Sequence, residues 1–138
     1  MSNLTVAKFG GTSVADFSAM SRCADIICND ESIRVVAVSA QSGVTNILVR
    51  LTQADVTPKE RSELFQQIRD KEQAILNDLG NPESIQVALD HLLASLEQTA
   101  NEASISTSEQ IKDQLLSFGE QMSSLMFAEV LRQRNVHA

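Results

Sequence analysis

A short apolar run, a pair of glycines, one amphipathic segment and a second, β-branched run open this sequence, and that order leaves few folds open. Leu4-Thr-Val-Ala-Lys-Phe9 reads as a strand closed by Gly10-Gly11. After Thr12-Ser13, the apolar residues Val14, Phe17, Met20, Ala24 and Ile27 recur at helical spacing. Ile33-Arg-Val-Val-Ala-Val38 is almost continuously aliphatic, the pattern of a strand covered on both faces. Strand, helix and strand in this order make a βαβ unit, with parallel strands and a right-handed crossover.

Helices should fill the remainder. A polar loop, Ser39-Ala-Gln-Ser-Gly43, leads into a helix expected from about Val44 to Ala54. Thr57-Pro58-Lys59-Glu60 combines an N-cap, a proline at the first helical position and a capping-box glutamate, so a helix starts there and buries Leu64, Ile68, Ile75 and Leu79. Gly80-Asn81-Pro82 ends it and opens another, with Asn81 as N-cap and a stripe at Ile85, Leu89, Leu92 and Leu96. Ser106-Thr-Ser-Glu109 is a second capping box, opening a long helix with Ile111, Leu115, Met122, Leu125, Met126 and Val130 inward.

The fold class is therefore α/β, a parallel sheet with helices in which a βαβ unit is followed by about four helices. No repeat, low-complexity linker or charge block divides residues 1–138, which read as one domain. Two parallel strands do not make a stable sheet alone, so the sheet reads as incomplete, with Asn135-Val-His-Ala138 as the entry to a third strand. Exposed strand edges predict pairing with another copy, a homo-oligomer, or aggregation.

Charge and composition narrow the partners. The formal net charge is −7 and the 11 Lys and Arg residues are scattered, without the basic run that a nucleic-acid reader shows. No apolar stretch reaches the roughly 18 residues of a membrane span, and no leader pattern opens the chain, so a cytoplasmic protein is expected. Cys23 and Cys28 have neither redox nor zinc spacing and read as reduced, mostly buried thiols. His91 and His137 stand far apart without ligand-like neighbours, and no protein metal site is expected.

Both polar loops follow parallel strands, and ligands of open α/β sheets bind at that edge. In the first loop, two glycines allow close backbone approach, the following helix offers unpaired N–H groups and Lys8 adds a positive charge, which together suit a phosphate. An ordinary glycine turn with a solvent-facing lysine fits the same residues. The loop is neither a Walker A sequence nor Gly-x-Gly-x-x-Gly. In the last helix Gly119 costs about 1 kcal/mol relative to alanine, which implies either a tight helix crossing with Glu120 in water, or a ligand approaching Gly119 with Glu120 facing it.

The run Lys8-Phe9-Gly10-Gly11-Thr12-Ser13-Val14 resembles the signature of aspartate kinases, of the amino-acid-kinase superfamily. Val38-Ser39-Ala40-Gln41-Ser42-Gly43-Val44-Thr45-Asn46 resembles the second loop of that family, and Ser117-Phe118-Gly119-Glu120 is similar to its Ser-x-Gly-Glu element. Around Ala15-Asp16-Phe17 the chain is most like the monofunctional, lysine-sensitive type.

That resemblance implies phosphorylation of the L-aspartate side-chain carboxylate by ATP with Mg2+, at the head of lysine, threonine and methionine biosynthesis. Lys8 would neutralise the transferring phosphoryl group while Gly10, Gly11, Thr12 and Ser13 line its path. Ser39, Ala40 and Thr45 would contact aspartate, and Glu120 would bind its α-ammonium group. Gln41 stands where the family suggests a small residue. The resemblance also implies that the chain is the amino-terminal part of the catalytic domain, that the nucleotide-binding half and regulatory domains are absent, and that the chain alone is inactive. The alternative is a non-catalytic helical association module that keeps only an anion half-site. A sister kinase acting on acetylglutamate, glutamate or a nucleoside monophosphate would share the fold, but the Lys8–Ser13 run argues against it.

Overall fold

The structure is a computed structural model and describes residues 4–102 and 104–138. Two strands, β1 (Thr5–Phe9) and β2 (Ile33–Val38), are joined by the helix α1 (Phe17–Cys28). They pair in parallel, with Phe9 opposite Val38 and Lys8 opposite Ala37. Four helices follow the βαβ unit: α2 (Val44–Leu51), α3 (Pro58–Asp78), α4 (Glu83–Ala100) and α5 (Glu109–Arg132). The architecture is thus α/β, with a two-stranded parallel sheet and five helices among the described residues.

α5 forms the spine of the molecule. It buries Leu115, Met122, Met126 and Val130, as the periodicity predicts, and also Phe118, Ser123, Phe127 and Leu131, while Ile111 and Leu125 are only partly covered. Strand residues alternate between faces. Phe9 therefore reaches α5, where its ring meets Phe127 with centroids 5.9 Å apart and tilted by 54°, and Lys8 points away. Val6 and Val35 share that open face, and β2 is not covered on both sides as its composition predicts. An aliphatic run reports hydrophobicity, but only packed neighbours decide whether both faces are buried.

Capping explains most differences at the helix ends. Asp16 caps α1, its carboxylate accepting from the Ala19 N–H at 2.8 Å. The helix consequently begins three residues after Val14. Thr57 caps α3 as predicted, accepting from Glu60 N–H at 3.1 Å. Asn81 does not cap α4; it takes a left-handed backbone, φ 53°, after Gly80 at φ 86°, and α4 starts behind Pro82 with no side-chain cap.

The cap of α5 is Ser108, two residues beyond the predicted Ser106, with Oγ accepting from Ile111 N–H. α2 stops at Leu51, short of Ala54, as the Thr52 hydroxyl donates back to the Val49 carbonyl. The α3 stripe is Leu64, Ile68, Ile75 and Leu79 as expected, plus Leu76 and Glu72; in α4, Leu93 is buried and Leu92 only partly.

Cys23 is buried and Cys28 exposed, both free thiols, which corrects half of the expectation that both are buried. Residues 135–138 form no strand; Asn135 turns the chain at φ 63° and Arg132 Nε donates to the Ala138 carbonyl. No helix among the described residues is long and apolar enough to cross a membrane.

Candidate functional site

The two loops that leave the sheet touch through their backbones. Ser39 N–H donates to the Phe9 carbonyl at 3.0 Å, carrying the β-ladder one step past the strands, and Ser42 N–H donates to the Gly11 carbonyl at 3.1 Å. Gly11 faces the Ala40 carbonyl so closely that a Cβ would lie 2.8 Å from the oxygen, which no side chain tolerates. At Gly10 a Cβ would meet nothing within 4 Å. The first glycine therefore presents open backbone, and the second serves the loop-to-loop contact.

Lys8 and Gly10 are exposed, and so are Thr12 and Ser13. The loop curls on itself, Ser13 N–H donating to the Gly10 carbonyl at 3.0 Å, and the Cys23 thiol donates to the Ser13 carbonyl at 3.1 Å. Burial pushes the Cys23 thiol above its ordinary pKa, so this sulfur stays a protonated donor. Since α1 begins at Phe17 under its own Asp16 cap, the helix does not offer its first N–H groups directly to the glycine loop, as the sequence suggested. Instead Arg22 joins Thr12 and Ser13 around a cleft of about 310 Å³. Arg22 lies four residues after Ser18, whose hydroxyl accepts from it at 3.0 Å, and its charge was not singled out by any motif.

The second loop ends at Gly43, whose φ of 89° precedes α2, and Thr45 is exposed in the first turn of that helix. Ala40 is buried and Ser39 half-buried. Gln41 turns inward instead of toward solvent. Only 1% exposed, it donates from Nε2 to Oε2 of Glu72 on α3 at 3.2 Å. Glu72 is fully buried, and desolvation pushes its carboxyl up to about 8, against the lowering effects of the Gln41 amide and of Lys71. A long residue at position 41 thus leaves the loop surface as bare as a small one would. Glu72 was readable as an acid in the inward stripe, four residues after Ile68 and three before Ile75.

α5 closes the arrangement from the other side. A Cβ on Gly119 would lie 2.7 Å from the Ala40 Cβ and 3.1 Å from Leu48 Cδ1. The glycine thus marks a tight crossing of α5 over the second loop. Its neighbour Glu120 is exposed and lines a groove of about 740 Å³ with Ser117, Gln121 and residues of α4 including His91. Lys8 is not among the residues of that groove. The structure therefore brings Gly11 and Gly119 against the same Ala40, while Lys8 and Glu120, both exposed, lie outside that contact. The described residues hold no cluster of three His, Cys, Asp or Glu side chains fit for a metal ion.

Comparison with known proteins supplies the remaining observations. The amino acid kinase family matches residues 3–138. The chain is 46% identical over 138 residues to the lysine-sensitive aspartokinase 3 of Escherichia coli (strain K12), covering all of this chain and 30% of that protein. It is 35% identical over 127 residues to an aspartokinase of Chlamydia muridarum, covering 92% of this chain and 27% of the relative. Among solved structures, E. coli aspartokinase III in complex with aspartate and ADP superposes with a TM-score of 0.91 at 44% identity, over 96% of this chain and 30% of that one. Its complex with lysine and aspartate gives the same TM-score. The chain thus spans about 30% of the length of these relatives.

Proposed function

As the chain belongs to the amino acid kinase family, we propose that it acts as the amino-terminal portion of an aspartate kinase catalytic domain, residues 1–138 forming a single unit. The reaction is transfer of the γ-phosphoryl group of ATP to the side-chain carboxylate of L-aspartate. It yields 4-phospho-L-aspartate, an acyl phosphate, as the first step toward lysine, threonine and methionine. The observation that carries the reading is the three-way contact of Gly11, Ala40 and Gly119. It ties together the three segments that resemble aspartate kinases, and the comparison with a relative solved with aspartate and ADP supports it.

The chemistry suits the residues present. An aspartate carboxylate has an ordinary pKa of about 3.9, so it is already a nucleophile at neutral pH and needs no general base. One carboxylate oxygen bonds to the γ-phosphorus as the bridging oxygen to the β-phosphate departs with ADP. The difficulty is to align two anions and screen their charge. Lys8 supplies an exposed ammonium, the open backbone at Gly10 admits a phosphate, and Gly11, Thr12 and Ser13 continue the path. Mg2+ would add charge neutralisation at the phosphate oxygens. Ser39, Ala40 and Thr45 hold the acceptor, and Glu120, an acid beside an anionic substrate, pairs with its α-ammonium group.

Calorimetric titration of this chain tests the reading. Weak binding of L-aspartate that disappears in Glu120→Gln, with hardly any binding of MgATP, is the expected result. A folded chain that binds no aspartate overturns it in favour of an association module.

A further inference from the structure

Two buried oxygens without partners point to a role for Glu72 that no motif suggested. In the Gln41–Glu72 pair the Gln41 Nε2–H bonds to Glu72 Oε2, yet Gln41 Oε1 and Glu72 Oε1 are both buried without any hydrogen-bond partner. A buried polar atom left unpaired is costly, and two in one pair call for a common remedy. An ionised carboxylate offers none, since it and the amide oxygen both only accept. A carboxylic acid does: its O–H donates to Gln41 Oε1, and acid and amide then match with two hydrogen bonds. We infer that Glu72 carries a proton in the folded protein and that this proton fastens the Ser39–Gly43 loop to α3, which makes Glu72 a positioning residue for the candidate site.

The loop is built to transmit that state. The Gln41 carbonyl accepts from Val44 N–H at the start of α2, Ser42 N–H reaches the Gly11 carbonyl, and Ala40 is wedged between Gly11 and Gly119. Losing the proton to solvent leaves a bare carboxylate against the Gln41 oxygen, and moving Gln41 moves both of its neighbours. Burial favours the neutral acid, holding the carboxyl near pH 8 rather than in the usual range. Among charged groups, Lys71 on the same helix acts on it in the opposite sense, and its ammonium lies beside Gly43. The only charged residue of α2, Arg50, is committed to Asp55 and Glu60. From α4 and α5, Asp90, His91 and Glu120 are exposed, and none of them acts on Glu72. The positioning role at the candidate site rests on the function proposed above; the proton lock itself does not.

Two measurements on the chain separate the claims. NMR of the Glu72 side-chain carboxyl should show titration in the alkaline range, and hydrogen-exchange protection of the Ser42 and Val44 amides should fall by about tenfold over the same pH interval, as expected for one buried hydrogen bond lost. In Glu72→Gln the protection should not change with pH. In Gln41→Leu it should already be low near neutrality, which keeps the test open if the first variant folds poorly. An ordinary acidic titration of Glu72, or an equal pH dependence in Glu72→Gln, overturns the inference. Absence of aspartate binding at every pH, with the loop titration intact, would instead strike only the proposed function.

Discussion

Gly119 and Ala40 meet at a separation that excludes any other residue at position 119 without movement, because the added Cβ would lie 2.7 Å from that of Ala40. Alanine would gain about 1 kcal/mol of helix propensity over glycine. Overpacking costs about 1–3 kcal/mol, and the Ala40 methyl has no rotamer through which to yield. The steric term therefore wins. Gly119→Ala should lower stability by about 1 kcal/mol in urea unfolding and weaken aspartate binding, since relief requires the Ser39–Gly43 loop to shift. Unchanged affinity in a folded Gly119→Ala protein would separate the crossing from the site.

Lys8 offers the opposite case, a side chain with little structural work. It is exposed and belongs to none of the ion pairs of the described residues. Lys8→Ala should leave the unfolding midpoint of the chain in place and, in a full-length enzyme that carries this segment, lower the turnover of aspartate-dependent ADP release by about 10²–10³, the loss typical of one charge-stabilising donor. Near-normal turnover contradicts its proposed role at the phosphoryl group.

What could be read from the sequence follows the range of the interaction that decides each feature. The Thr57 cap, the βαβ order and the inward stripe of α3 depend on residues within a turn or two, and they were legible. Local signals also compete: Ser106 and Ser108 are both good caps, as are Ser13 and Asp16, and the packing of the helix behind them chooses. The open face of β2 was missed because burial depends on what lies over Val35, not on its side chain. At the site, the glycines were legible as backbone-approach positions, but not that Gly11 and Gly119 approach the same Ala40. The Gln41–Glu72 bond joins residues 31 positions apart, and no local pattern announces it.

The open face of the sheet carries its own expectation. Leu4, Val6 and Val35 are 67%, 61% and 50% exposed, and Val6 pairs directly with Val35. Adjacent aliphatic side chains on an unpaired two-stranded sheet favour association with another copy. Light scattering of the chain should show a mass that rises with concentration, and Val35→Lys should suppress the rise by placing a charge within the patch. A monodisperse monomer at high concentration rules out self-association through this face.

Glu72 also ties the stability of the fold to pH, with a sign opposite to that of a salt-bridged carboxylate. Its pKa in the folded protein is about 8, against 4.5 for an ordinary glutamate. Between those values the native state holds one proton more than the unfolded chain, so stability falls as pH rises. The contribution is complete below the lower value and lost on passing the upper one. The slope for one proton is about 1.4 kcal/mol per pH unit. Urea unfolding should accordingly show a loss of about 2 kcal/mol between pH 6 and pH 8, a window above the titration of ordinary carboxylates. Glu72→Gln keeps the volume and removes the titration, so its stability should be nearly level across that window and exceed that of the native sequence at the alkaline end. A native protein whose stability is equally level has Glu72 ionised throughout, at the cost of a buried carboxylate facing an amide oxygen.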